Sequence, residues 1–175
     1  MSRARSRRAA KPARLLSRPT PFAEGYRMPA EWEPHAATWL AWPHEESDWP
    51  GKFAVIPWTF VELTRLIVRS ERVRLIVRGP AEQRRAKALF KGSGIDLGRV
   101  DFVHARTDRS WTRDFVPSFV VRTGRATREA PRVAAVGWRF DGWKRYPNHE
   151  HDARAGRTAA GFVDAHVFEP VVTLG

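Results

Sequence analysis

At 175 residues, with 42% apolar content and eight tryptophans, the chain is long enough for one packed domain and too apolar for a disordered one. The absence of cysteine excludes disulfides, thiolate metal sites and a cysteine nucleophile within these residues, and no apolar run approaches the roughly 18 residues of a membrane span. The net charge of +12 would suit a polyanion binder, but residues 1–18 hold seven basic side chains and no acid, leaving 24 basic against 19 acidic, or +5, for the rest.

Residues 1–25 read as a disordered basic arm, because the stretch cannot bury enough apolar surface to order itself. A plain solvated tail, weak contact with nucleic acid or other polyanions, and targeting all stay open for it. Nucleic acid is not the expected partner of the chain as a whole. The N-terminus has no apolar core of the secretory kind, so the expectation is a soluble, cytoplasmic protein.

The ordered part, residues 26–175, is expected to begin near Tyr26. After a proline-bounded start, "AATWLAWP" reads as a buried strand closed by Pro43, and "HEESDWPGKF" as a loop turning at Pro50 and Gly51. Over 56–70, Phe60, Leu63, Leu66 and Ile67 recur at helical spacing, with Pro57 in the first turn where its missing N–H costs nothing. "RVRLIV" (72–77) predicts a strand, 81–94 a second helix stopped by glycines, and 99–105 another strand. Strands follow over 117–122 and 132–140, then a helix over 151–163 and a strand in "VFEPVVTLG". The order is mixed α/β.

Three clusters carry candidate chemistry. "NHEHD" (148–152) brings two histidines and two acids together, but adjacent residues do not converge on one ion, and an exposed polar loop or helix start explains them equally. "GWRFDGWKRYP" (137–147) is either a strand running into a tight turn or the wall of a substrate pocket, where glycines allow close backbone approach. "SWTRDFVP" (110–117) sets Asp114 among Trp111, Phe115 and Pro117. That carboxylate either pairs with a nearby arginine, or it receives a planar cation, since a carboxylate takes a guanidinium bidentately and a tryptophan face suits one.

Together "MPAEWEPHAATWLAWPHEESDWPGKF", "SWTRDFVP" and "WRFDGWKRYP", in this order, resemble the N-terminal part of the agmatine deiminases and the related Porphyromonas-type peptidylarginine deiminases. The resemblance implies a pentein fold, a fan of five pseudo-repeated modules of which about two are represented here. It implies hydrolysis of a guanidino group to a ureido group with release of ammonia; for agmatine the product is N-carbamoylputrescine, on a route to putrescine. No cofactor or metal is implied, and the partner is a small guanidino substrate. By motif match, Asp114 corresponds to the aspartate that binds the guanidinium and Trp111 to the pocket tryptophan beside it.

The resemblance also implies a cysteine nucleophile and a histidine acid–base in a Gly-His-x-Asp segment, and this sequence offers neither. Its six histidines match no such segment, and "VVTLG" stands where the family has Glu-Gly-Gly. Val116 stands where the family usually shows glycine, which would restrict the backbone beside Asp114 if a positive φ were needed there. The expectation is a truncated, catalytically incomplete deiminase, with a non-catalytic guanidino- or partner-binding remnant and peptidylarginine deiminase-type activity as the alternatives.

Overall fold

The computed structural model describes residues 19–129 and 131–174, so the expected basic arm lies, for residues 1–18, outside the described residues. Residues 21–25 already form a turn, in which Gly25 N–H donates to Phe22 O (3.0 Å) and Tyr26 N–H to Pro21 O (2.9 Å). The elements are β1 (Tyr26–Arg27), β2 (Ala37–Ala41), α1 (Ile56–Ile67), β3 (Arg72–Val77), α2 (Pro80–Gly92) and β4 (Val100–His104). There follow α3 (Thr112–Phe115), β5 (Ser118–Arg122), β6 (Val133–Val136), β7 (Arg139–Phe140), α4 (Glu150–Phe162), β8 (His166–Phe168) and β9 (Thr173–Leu174).

Two units result. In the first, β2, β3 and β4 form a parallel sheet in that order, with Ala37 opposite Arg72 and Val73 opposite Val100. The central strand β3 is covered on both faces, which is why Val73, Leu75, Ile76 and Val77 are at most 1% exposed and why the sequence there is nearly continuous in apolar residues. One face packs on α1 and α2 through Trp42, Val61, Ala86 and Phe90. The other carries Ala41, Ile76 and Val103 against Phe115, Phe140 and Ala155, so the "SWTRDFVP" segment is seated on the back of this sheet.

The second unit is a mixed sheet in the order β1-β5-β6-β8, antiparallel at the first two pairings and parallel between β6 and β8. Tyr26, Val120, Ala134, Val136 and Phe168 form its core. The expected single strand over 132–140 is divided at Gly137–Trp138: β6 stays in this sheet, while β7 leaves it to pair in parallel with β9. A side chain at Gly137 would press on Val167, and Trp138 Nε1–H donates to Ser118 Oγ (3.0 Å), so this bend is built by packing.

The helical face of α1 also differs from the periodicity reading. Val61 and Thr64 are buried and Phe60, Ile67 and Val68 pack beside them, whereas Leu63 and Leu66 are 40% and 45% exposed. The stripe at 60, 61, 64, 67 and 68 includes a threonine, which a search for apolar residues passes over.

Candidate functional site

Asp114 sits on α3, a single helical turn whose placement is set on three sides. Thr112 Oγ1–H donates to Trp39 O of β2 (3.2 Å), and Phe115 is buried in the core of the first unit. On the third side Gly156 of α4 meets the Phe115 carbonyl so closely that any Cβ there would clash with it. With Phe115 turned inward, Asp114 is left half-buried at the edge. Val116 has φ −72° and ψ 137°, ordinary extended backbone, so the valine imposes no strain and the restriction feared for it does not arise.

Among the described residues the Asp114 carboxylate accepts no hydrogen bond and makes no ion pair. Its neighbour Arg113 is exposed and directed to Glu31, at 3.4 Å in the first motif block. Burial pushes the Asp114 carboxyl up from the usual carboxylate range, and the charge of Arg113 offsets this only in part. The pairing of Asp114 with a local arginine, one of the two readings open from the sequence, is therefore absent among the described residues.

Trp111 lies in an aromatic group assembled from the second and third blocks. Its ring centroid is 5.4 Å from that of Trp143 and 5.2 Å from that of Tyr146, and Trp143 in turn meets Phe140 edge-on at 5.2 Å. Trp143 and Lys144 hold φ of 55° and 54° directly after Gly142 at 66°, so the turn places its tryptophan at the expense of left-handed backbone in two residues with side chains.

The residue at the centre of this arrangement is Arg109, which the sequence reading did not single out. Its side chain is 8% exposed. Nη1–H donates to Ser47 Oγ (3.0 Å) and Asp48 Oδ1 (2.8 Å), with Glu45 at 3.8 Å, and Nη2–H donates to Asn148 Oδ1 (3.1 Å). The guanidinium carbon also lies 5.6 Å from the Trp111 centroid and 5.1 Å from that of Tyr146. Burial raises the Asp48 carboxyl even against the pull of Arg109, whose guanidinium lies within ion-pair distance of it. An acid-rich loop, "EESD", and an arginine two residues before a tryptophan were the signals available; only the fold shows that they meet.

The backbone of Arg109 is fixed as well. Asp152, fully buried in the first turn of α4, accepts from Asp108 N–H (2.8 Å) and Arg109 N–H (3.2 Å) through Oδ1. Asp108 returns the contact, accepting from His151 N–H (2.8 Å) and facing His151 Nδ1 at 3.0 Å. Burial pushes the Asp152 carboxyl up to about 6 against the pull of those two N–H donors. The "NHEHD" residues thus diverge: His151 holds Asp108, Asp152 holds the 108–109 backbone, and His149 packs edge-on to Phe140. Among the described residues no group of three or more His, Cys, Asp or Glu could hold a metal ion, and no helix is long and apolar enough to cross a membrane. A cavity of about 340 Å³ opens between α4 and β7–β8, but it touches this segment only through Phe115 and Pro117, and neither Asp114 nor Trp111 lines it.

The family model of the Porphyromonas-type peptidyl-arginine deiminases matches residues 27–174. The agmatine deiminase of Pseudomonas aeruginosa strain LESB58 is 34% identical over 125 residues, covering 71% of this chain and 30% of that protein. The agmatine deiminase of Stutzerimonas stutzeri strain A1501 is likewise 34% identical over 124 residues, with 71% and 30% covered. Among solved structures, the agmatine deiminase of Enterococcus faecalis superposes with a TM-score of 0.73 at 18% identity, covering 87% of this chain and 40% of its own. That of C. jejuni with substrate bound superposes at 0.66 and 22% identity, over 83% and 39%. The chain therefore spans about a third of the length of the curated relatives it matches, and its α/β architecture corresponds to about two-fifths of the pentein fan. With its three sequence blocks drawn together around one segment and a family match over nearly all the described residues, the chain belongs to the Porphyromonas-type peptidyl-arginine deiminase family.

Proposed function

We propose that this chain forms the guanidinium-receiving wall of an agmatine deiminase-type hydrolase, in which Asp114 binds the substrate cation and Trp111 flanks it. The reaction of that lineage takes a guanidino group and water to a ureido group and ammonia; with agmatine the product is N-carbamoylputrescine, a putrescine precursor, made in the cytoplasm. The observation that carries the reading is the Asp114 carboxylate: half-buried, destabilised by burial and without a partner among the described residues, in a chain where acids such as Asp48, Asp101 and Glu33 hold arginines. Agmatine is favoured over peptidyl-arginine because the curated relatives of Pseudomonas aeruginosa and Stutzerimonas stutzeri carry the agmatine deiminase name.

Lacking cysteine, these 175 residues supply no thiolate, so the chain by itself is expected to bind agmatine without releasing ammonia from it. Calorimetry and amide NMR on the purified chain test this. Agmatine should shift the Asp114 amide saturably, and Asp114→Asn should weaken binding by about tenfold to a hundredfold, the worth of a charge-assisted hydrogen bond of about 1.5–3 kcal/mol. Equal affinity in the variant removes Asp114 from the site. Turnover at stoichiometric protein would refute the binding-only reading.

A further inference from the structure

The geometry points to Arg109 as the positioning residue of the guanidinium site, a built-in guanidinium that fills a carboxylate-and-aromatic cage and thereby fixes Trp111 and, through it, the turn bearing Asp114. This rests on the function proposed above for Asp114 and Trp111.

Three segments of the molecule that meet around Trp111 converge on this one side chain, in addition to the contacts of Thr112, Phe115 and Gly156 that seat α3. Ser47 and Asp48 come from the loop after β2, Tyr146 and Asn148 from the segment between β7 and α4, and Trp111 from the start of α3. No sheet pairing joins these three segments to one another: the first follows the parallel sheet, and the others lie beyond it. The fork of the guanidinium provides what the backbone does not, because Nη1 and Nη2 reach different segments while its carbon lies over two rings. A lysine brings a point charge without that divergent, planar geometry. The arginine is also held from behind, since its N–H donates to the buried Asp152. Trp111 O then accepts from Asp114 N–H (3.0 Å), so an orientation imposed on Trp111 is passed to the carboxylate within one turn.

The cage makes the proposal testable with small ions. An Arg109→Ala chain carrying Asp114→Asn, to keep probes off the substrate aspartate, is compared with Asp114→Asn alone. Its Tm should fall by about 10 °C, the loss expected when a buried ion-pair partner is removed from a chain of this size. Methylguanidinium at ~20 mM should restore at least half of that fall, while methylammonium at the same concentration restores none. Equal rescue by the two ions overturns the proposal, because a cage that needs only charge does not orient a ring. Arg109→Lys, which keeps the charge and avoids a large cavity, supplies the second arm. It should shift the Trp111 and Asp114 amide resonances and weaken agmatine binding about tenfold. A lower Tm with unshifted amides and unchanged affinity would make Arg109 a packing residue only, and would sink the inference. If the wild-type chain binds no agmatine, the functional reading of Asp114 falls, while the ion rescue and the amide shifts still decide the role of Arg109.

Discussion

Arg109 and Asp114 are charged residues of one short segment, and the fold treats them in opposite ways. The arginine is buried and its two terminal nitrogens are met by Asp48, Ser47 and Asn148 beside two rings, with only Nε unpartnered, whereas the half-buried aspartate has the charge of Arg113 nearby but no ion pair or hydrogen bond to a cation among the described residues. Desolvating a charge is costly, so a structural charge carries its compensation within the fold. Asp114 carries no such compensation beyond the nearby charge of exposed Arg113. On the function proposed for Asp114, the contrast separates a scaffold charge from a binding group by geometry alone.

The strongest way to break the contrast is to take the partner from the scaffold charge. Asp48→Ala leaves Arg109 buried with only the more distant Glu45 carboxylate near it, and should cost about 3–5 kcal/mol in chemical denaturation. A loss below 1 kcal/mol would mean that Arg109 is no better compensated than a surface residue, and the comparison would fail.

The pH dependence of the same segment gives a somewhat smaller effect. Asp152 is raised to about 6 when folded and returns to about 3.9 when unfolded, so folding favours its protonated form. The stability this contributes is fully present below about pH 4 and is lost as the pH rises through 6, a difference on the order of 3 kcal/mol at most. The other charged groups against it are Asp108, Arg109 and, through Asp108, His151. Asp152→Asn keeps an acceptor for the two N–H groups, and should flatten the fall in Tm between pH 5 and pH 7 that the wild type shows. An identical slope in both proteins would show that the carboxyl is not buried as described.

The smallest change sharpens the comparison by separating the two residues. Gly156→Ala pushes on the Phe115 carbonyl and so on α3, at a cost of about 1–3 kcal/mol. Amide shifts should be concentrated at 112–116, with the contacts of Arg109 to Asp48 and Asn148 retained; shifts spread evenly over both would indicate that the segment moves as one body.

The sequence carried much of this. The strands at 37–41, 72–77, 100–104 and 118–122 and the helices at 56–67 and 80–92 were legible because each is bounded by proline, glycine or polar clusters and has a clear period or β-branched run. The helical turn at 112–115 was not, because four residues are too few to show a period, and it forms where Thr112 reaches Trp39 and Gly156 admits the chain. The division of 132–140 into two strands escaped for a related reason: both halves have the same composition, and only pairing partners distinguish them. In the site, Asp114 and Trp111 stood out by local chemistry, but Arg109 did not, since an arginine among 31 basic residues gives no local sign of where its side chain goes.

By itself, then, the sequence determined most of the longer helices and strands, the absence of a thiol within these residues and the aspartate set among aromatics, all of which are local properties of composition and spacing. The tertiary structure alone decided which charges are satisfied. Ser47 lies 62 residues and Asn148 lies 39 residues from Arg109 in the sequence, and whether a buried charge has a partner depends on contacts that span such distances, which no local pattern encodes.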